Sequence, residues 1–406
     1  MKKVLYLAAG NPVKPRVGMD LVVHEHIKEL AGDSRIALSV IAVAPGIEGQ
    51  PVPGGHLVGQ AQIQLYVGDL LTERGGINRL YNKLKMVLGQ SVPVMAYSFR
   101  SALAAAAIRS CIEQQSFDVI VIDHYYALAN IDLKQVADSG AKFVYISHDA
   151  MFPHIAEMAS MKSGLASKAY YMLEAWRTGR VEQRLFAMAE KVVHLSEFER
   201  GEVKFDQHKH VALLPPICSS DALAAASAVV DPAYTNSVVF IGSPNHPPNA
   251  HALQWIIEQF APALHKAAPQ LHIALIGGGT DRLAAGVPNV KGYGFVSSSV
   301  LQSMLASCVC SISPVVRGRG IKVKVLDAIA AGCPIFATDE SLRGFEQFGL
   351  EAIFRLSQPE QLANSVARLA SDETMKVEAR SAVAKSWSNF LSERSGQLAE
   401  LVHALA

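Results

Sequence analysis

Short apolar runs bounded by Gly, Pro, Asp or Ser alternate with longer helical patterns through most of the 406-residue chain. That alternation is the pattern of a parallel sheet with crossover helices, an α/β architecture. In the first half it predicts strands at Val4 to Ala8, Ala37 to Val43, Val119 to Ile122, Phe143 to Ile146 and Lys191 to Leu195. Helices are predicted at Asp20 to Leu30, Ala96 to Gln114, Ala166 to Met188 and Glu197 to Val203. After Pro215-Pro216 an Ala/Ser-rich stretch, Ser219 to Val230, reads as an interdomain connection.

A second series follows, with strands at Ser237 to Ile241, Leu271 to Ile276, Val290 to Tyr293, Val309 to Ser313 and Pro334 to Ala337. Its helices are predicted at Ala250 to His265, Ser297 to Ala306 and Lys322 to Ala331. The expected organisation is two Rossmann-like domains, residues 1–218 and 236–385, facing each other across a cleft where ligands bind at strand ends. A last helical pattern, Glu378 to Leu405, supplies a tail, residues 386–406, that can cross back to the first domain.

Composition narrows the classes. Hydrophobic residues are 50% and charged residues 18%, against about 25% charged in average soluble chains, so disorder is excluded and large cores are expected. Lys plus Arg is 37 and Asp plus Glu 36, a formal net charge of +1, which gives no support to nucleic-acid binding. Five cysteines, Cys111, Cys218, Cys308, Cys310 and Cys333, form no C-x-x-C pair and read as core thiols in a reducing cytoplasm. The apolar run Val4 to Ala9 stops at Gly10-Asn11-Pro12 without a cleavage-site pattern and reads as a buried strand rather than a signal peptide. No stretch of about 20 uninterrupted apolar residues occurs.

The most informative segment runs from Ser313 to Phe345. A strand ends at Ser313-Pro314, a loop carries Gly318 and Gly320, and a helix begins near Ile321 with Lys322 and Lys324 close to its start. Backbone N–H groups and the positive dipole end at a helix start attract anions. Lys324 and Asp327, three apart, share one helical face, so the cation can meet a phosphate while the carboxylate accepts from ribose hydroxyls. Alone, a G-x-G is weak and such a pair is commonly a solvated surface pair. The order strand, glycine loop, Lys/acid helix, Ala331-Gly332 turn and apolar strand ending in Thr338-Asp339 is what suggests a nucleotide site.

This segment resembles the donor-binding signature of GT-B fold, retaining glycosyltransferases of family 4 (glycosyl transferases group 1), which carry K-x-L-E-A-x-A-x-G-x-P-V-V after a glycine loop. The matching letters are Lys324, Leu326, Asp327, Ala328, Ala330, Gly332, Pro334 and Ile335, followed by Arg343-Gly344-Phe345. Phe240 to Trp255 is similar to the family's strand, glycine turn and P-N-x-x-A-L-x-W opening. Ala274 to Gly279 and Gly292 to Val296 resemble its next glycine turn and base-binding loop. The resemblance is firm over residues 236 to 345.

It implies a nucleotide sugar, UDP-, GDP- or ADP-linked, as donor substrate, with no separate cofactor and no metal. The implied donor contacts are Gly242, Ser243, Gly277, Phe295, Gly320, Ile321, Lys322, Lys324 and Asp327. The family places a donor-sugar-contacting acid eight positions before the ribose acid; here that position is Arg319, and the ribose acid is Asp instead of Glu. His148, in Tyr145-Ile146-Ser147-His148-Asp149, ends a strand where the family has a His or Asn pointing into the cleft, and is the expected catalytic contact. Asp123-His124 is a second strand-end pair, and Glu197 and Glu199 after Ser196 read as a helix cap. In the loop Gly10 to Asp20, Arg16 and Gly18 are candidate acceptor contacts.

Other classes find less support. There is no G-x-S-x-G elbow, H-E-x-x-H or G-x4-G-K-[ST]. His24 and His26, two apart on a helix, point to different faces. Arg79 to Arg100, with Tyr81, Lys83, Lys85, Tyr97 and Phe99, could lie on a membrane surface, but Pro93 favours a partly buried lid. The sequence thus leads to a cytoplasmic retaining glycosyltransferase, free in solution or peripheral at the inner membrane face. Its alternatives are a nucleotide-sugar epimerase or hydrolase of the same fold and, because of Arg319, a non-catalytic donor-binding subunit.

Overall fold

The computed structural model describes residues 1–15, 18–45, 54–69, 93–160, 162–203, 206–213, 230–345 and 353–405. Arg16, Cys218, residues 79–92 and residues 219–229 of the expected connection lie outside them. The chain forms two compact units, Met1–Pro215 with Arg394–Ala406, and Pro216–Glu393.

The first unit is built on an eight-stranded sheet in the order β3-β4-β2-β1-β5-β6-β7-β8. These strands are β1 (Lys2–Ala9), β2 (Ile36–Ala44), β3 (Gly54–Val58), β4 (Ala61–Val67), β5 (Val119–Asp123), β6 (Lys142–Ser147), β7 (Lys191–His194) and β8 (His210–Ala212). Every pairing is parallel except the β3–β4 hairpin. The apolar runs β1, β5 and β6 are buried almost throughout, as central parallel strands must be. The hairpin lies outside the expected strands, which rest on continuous apolar runs, whereas β4 alternates buried Ile63 and Leu65 with exposed Gln62 and Gln64.

The helices of this unit are α1 (Gly18–Gly32), α2 (Ala102–Gln114), α3 (Leu133–Asp138), α4 (Met151–Ser160), α5 (Leu165–Met188) and α6 (Glu197–Gly201). The helix expected over Ala96 to Gln114 is two pieces, a 3-10 turn Val94–Phe99 and α2. Ser101 breaks it by becoming the N-cap of α2, and its N–H donates to Asn130 Oδ1 at 2.7 Å while Asn130 Nδ2 donates to the Phe99 carbonyl. Tyr97 and Phe99 are buried in this turn, so they are not offered to a membrane. Ser196 caps α6, and Glu199 is buried, accepting the Ala150 N–H at 2.6 Å.

The second unit holds a six-stranded, wholly parallel sheet in the order β11-β10-β9-β12-β13-β14. The strands are β9 (Ser237–Ile241), β10 (His272–Ile276), β11 (Val290–Gly294), β12 (Cys310–Ser313), β13 (Ile335–Ala337) and β14 (Ile353–Arg355). Its helices are α7 (Pro247–Trp255), α8 (Ala261–Ala267), α9 (Thr280–Leu283), α10 (Ser298–Ser307), α11 (Val323–Ala330), α12 (Pro359–Ser371) and α13 (Glu373–Arg394). The expected helix Ala250 to His265 is interrupted by a π turn, Ile256–Phe260. Pro262 lacks the N–H that would reach Glu258, and the Ala261 N–H bonds Ile256 instead. β14 and α12 are additional to the elements expected from the sequence.

Arg380 of α13 donates to the carbonyls of Leu305, Cys308 and Gly332, satisfying groups left over at two helix ends. The tail read as one helix from Glu378 divides at Gly396 (φ +84°), where α14 (Gln397–Leu405) begins. Within the first unit α14 packs on α1: the N–H groups of Leu398 and Ala399 donate to Glu29 Oε1 at 2.7 and 3.0 Å, and Arg35 pairs with Glu400 at 2.6 Å.

Close backbone approach fixes one position firmly. A Cβ on Gly292 of β11 would stand 2.2 Å from the Thr280 carbonyl oxygen, whereas one on Gly55 meets nothing within 4 Å. Gly292→Ala is expected to destabilise the protein by about 2 kcal/mol or more, lowering the calorimetric midpoint by several degrees, and Gly55→Ala to change it by less than about 1 kcal/mol.

Candidate functional site

In the second sheet β9 lies between β10 and β12, so the chain winds one way through β11 and then the other way through β14. Loops leaving β9 and β12 therefore diverge, and such a switch point opens a crevice at the carboxyl ends of the strands. The glycine turns found in the sequence follow these strands: Gly242-Ser243 after β9, Gly277-Gly278-Gly279 after β10, and Gly318 to Lys322 between β12 and α11.

The turns are glycine because they touch. A Cβ on Gly277 (φ +137°) would be 2.7 Å from the Gly242 carbonyl carbon, and one on Gly242 would be 2.7 Å from Asn249 Cγ. Ser243 Oγ donates to the Gly278 carbonyl at 2.9 Å, tying the first two turns together. Gly318 (φ +105°) lies against Pro248 of α7, and Gly320 is also left-handed at φ +78°.

The two lysines differ in environment. Lys322, at the N-cap of α11, donates to the carbonyls of Gly318 at 2.6 Å and Gly320 at 2.8 Å. It also stands 3.6 Å from Glu340, which pairs with Arg343 at 2.5 Å. Its ammonium thus holds the glycine loop in shape. Lys324 reaches Asn249 Oδ1 at 2.5 Å and lies 4.6 Å from the centroid of the Phe240 ring. Among the described residues it has no carboxylate within ion-pair distance. Burial, and secondarily Lys322, push its pKa down to about 7.

Asp327, one turn along α11, is partly buried, and desolvation pushes its carboxyl up to about 7. Ile321 and Arg319 belong to the loop leading into α11, whose first N–H groups lack helical partners. Phe295 is 76% exposed and lies over the second turn, its Cδ2 3.6 Å from where a Gly278 Cβ would be. Lys324, Asp327, the glycine turns and Phe295 therefore frame one end of this sheet. Asn249 and Glu340 were not singled out from sequence; Asn249 stood within the P-N-x-x-A-L-x-W stretch, and Glu340 follows Asp339 at a strand end.

The first unit has its own switch point between β1 and β5. There Asp123, fully buried, sits at the centre of a polar cluster. His148 Nε2 is 2.5 Å from Asp123 Oδ1, His26 Nδ1 is 3.0 Å from Oδ2, and the Tyr6 hydroxyl donates to Oδ2. Burial pushes the Asp123 carboxyl up, but the charge and hydrogen bond of His148, followed by those of His26, outweigh it and hold the group ionised well below the usual range. Donation from Nε2 to this carboxylate orients the His148 ring and leaves Nδ1 for another partner.

His124 adopts φ +67°, packs edge-on to His148 with centroids 5.0 Å apart, and is kept neutral by burial and by His148. The strand-end pair Asp123-His124 and His148 are thus one cluster; Tyr6 and His26 were missed because nothing local marks them. His24 points elsewhere, to the Pro12 carbonyl at 2.7 Å. Gly18 is the first residue of α1, near Asp20, whose Oδ1 accepts the Asn11 N–H at 2.8 Å. Among the described residues no group of three or more His, Cys, Asp or Glu is arranged to hold a metal ion.

Residues 235–372 match the family model for glycosyl transferases group 1. No curated protein sequence matches the chain. Among solved structures, the Anabaena protein HepE in complex with UDP-glucose is 14% identical, with all of both chains covered and a TM-score of 0.60. Sucrose-phosphate synthase from Thermosynechococcus elongatus is 15% identical, again with both chains fully covered, at a TM-score of 0.63. The calicheamicin glycosyltransferase CalG4 is 15% identical, covering 100% of this chain and 97% of that one, at 0.51. The fold is GT-B, two Rossmann-like domains in one chain. The likeness to glycosyl transferases group 1 lies in residues 235–372, in the second unit.

The Asp327 carboxyl is raised in the folded state above its value of 3.8 in an unfolded chain. Between about pH 4 and 7 the folded state therefore binds more protons than the unfolded one, and stability falls as pH rises. Asp327→Asn is expected to remove this decline, giving a variant as stable as wild type near pH 4 and more stable at pH 8 in urea unfolding.

Proposed function

We propose that the protein transfers a sugar from a nucleotide diphosphate sugar to a hydroxyl acceptor with retention of configuration. The observation that carries this reading is Lys324, a half-buried ammonium with no carboxylate partner among the described residues, in the first turn of α11 and one turn from Asp327. An isolated cation costs several kcal/mol to bury, and an anionic ligand removes that cost. A diphosphate at the helix start would meet Lys324 and the free N–H groups, the ribose hydroxyls would donate to Asp327, and the base would lie on Phe295. A UDP-linked donor is favoured, since the Anabaena structure holds UDP-glucose.

In the reaction the acceptor oxygen bonds to the anomeric carbon as the bond from that carbon to the β-phosphate oxygen breaks. The acceptor proton passes to the departing phosphate oxygen on the same face, so no protein nucleophile is required. Lys324 and the dipole of α11 stabilise the charge growing on the diphosphate. His148, oriented by Asp123, hydrogen-bonds an acceptor hydroxyl. Proton NMR of the first product formed should show the anomeric configuration of the donor; inversion would overturn retention. Donor hydrolysis or isomerisation without acceptor would favour the epimerase or hydrolase reading. Donor binding with no turnover on any acceptor would favour a binding subunit with Arg319 in the acid's place.

Both site pKa values near 7 shape binding. Below that pH Asp327 must lose a proton to accept ribose hydroxyls, so affinity rises with pH; above it Lys324 must gain one to pair with phosphate, so affinity falls. UDP binding measured by calorimetry is expected to peak near pH 7. Asp327→Asn should flatten the acid limb and Lys324→Met the alkaline limb, the latter lowering kcat/KM by about 100-fold or more. A Lys324→Met enzyme with wild-type affinity and turnover would refute the assignment.

A further inference from the structure

Helix α5 buries one face and leaves an apolar one uncovered. Glu174, Ala175, Thr178, Val181, Glu182 and Leu185 point inward. On the opposite side Leu165, Met172 and Trp176 are 86%, 48% and 53% exposed. Positions 165, 169, 172, 173, 176 and 180 fall on one face of a 3.6-residue helix, so these side chains, with Ala169 and Leu173, form one ridge that continues into Arg180 and Arg184. Phe152 of α4, 45% exposed, extends it sideways, where a cavity of about 380 Å³ lies between Phe152 and Trp176.

The exposed charges of α5 are of one sign, and Glu202, just after α6, is the exposed acid that lines the cavity. Both acids of α5 are turned inward: Glu174 accepts the Val94 N–H at 2.7 Å and pairs with Arg177, and Glu182 accepts the N–H groups of Met151 and Phe152 at 3.1 Å. Lys168, Arg180 and Arg184 are exposed around the ridge, Lys162 precedes the helix, and the Arg180 guanidinium lies 5.1 Å from the Trp176 ring centroid. Leucine, methionine and tryptophan beside cations, with no acid on the exposed side of α5 itself, are the chemistry of an anionic lipid surface. A second copy of the chain fits less well, because a two-fold contact would set Arg180 and Arg184 against themselves.

We propose that the exposed face of α5, with Phe152, docks the protein on anionic lipid bilayers. The apolar ridge enters the interfacial layer, Trp176 sits at headgroup level, and Arg180, Arg184 and Lys168 pair with lipid phosphates. This surface differs from the Arg79 to Arg100 segment considered from sequence and stands independently of the sugar-transfer reading.

The full-length protein can be sedimented with phosphatidylglycerol-containing vesicles and with pure phosphatidylcholine vesicles. Wild type is expected to bind the former preferentially, with brominated lipid quenching fluorescence that Trp176→Phe removes. Leu165→Ser/Met172→Ser should cut partitioning at least about tenfold, and each of Arg180→Gln and Arg184→Gln about fivefold on the anionic vesicles alone. Circular dichroism and thermal unfolding confirm that the variants fold. Absence of wild-type binding, or binding unaltered by these substitutions, would overturn the proposal. So would a wild-type dimer in velocity sedimentation that the Ser variants dissociate, since a second copy would then cover the ridge.

Discussion

Strands β1 and β9 are each paired on both sides and covered on both faces, and the placement of the candidate side chains follows from that burial. A strand so enclosed tolerates few polar groups along its length, so polar chemistry collects where the strands end. Tyr6 is the exception that explains the first unit's cluster. Its hydroxyl lies in the middle of β1, fully buried, and an unsatisfied phenol there would cost about 1–3 kcal/mol. Asp123 at the end of β5 accepts from it, and the carboxylate in turn draws in His26 and His148. In β9 the sequence Val238-Val239-Phe240 carries no such group, and the loops beyond it are free to be shaped by glycine contacts.

The two lysines of the second site show how far sequence reading reaches. Their spacing relative to Gly320 and Asp327 located the helix start, and the glycine turns followed the strands as expected. Nothing in the spacing says that Lys322 curls back onto the carbonyls of Gly318 and Gly320 while Lys324 crosses to Asn249 of α7. That difference arises from contacts 75 residues apart in the case of Lys324, and pattern within a single helix carries no information about them. The strands of continuous apolar residues were legible for the converse reason: enclosure on both faces demands an uninterrupted run. The β3–β4 hairpin, half exposed, and the break at Ser101, dictated by Asn130 from another loop, were not. Likewise α5 was readable as a helix, but which of its faces is buried became visible only with α4 packed against it.

The two clusters differ most in their charge balance. In the first unit Asp123 is surrounded by donors, two imidazoles and a phenol, and every one of its oxygens is used. Such a group is satisfied before any ligand arrives, so its work is to hold His148 in one orientation. In the second, Lys324 and Asp327 are both shifted toward neutrality by burial, since neither has an opposite charge at contact distance among the described residues. They do not pair with each other even though three residues separate them on one helix. A short salt bridge between them would restore ordinary pKa values and spend the charge that a diphosphate or a ribose needs. Keeping them apart leaves a cation and a carboxylate without opposite charges beside the glycine turns, and a ligand that carries phosphate at one end and hydroxyls at the other completes both at once.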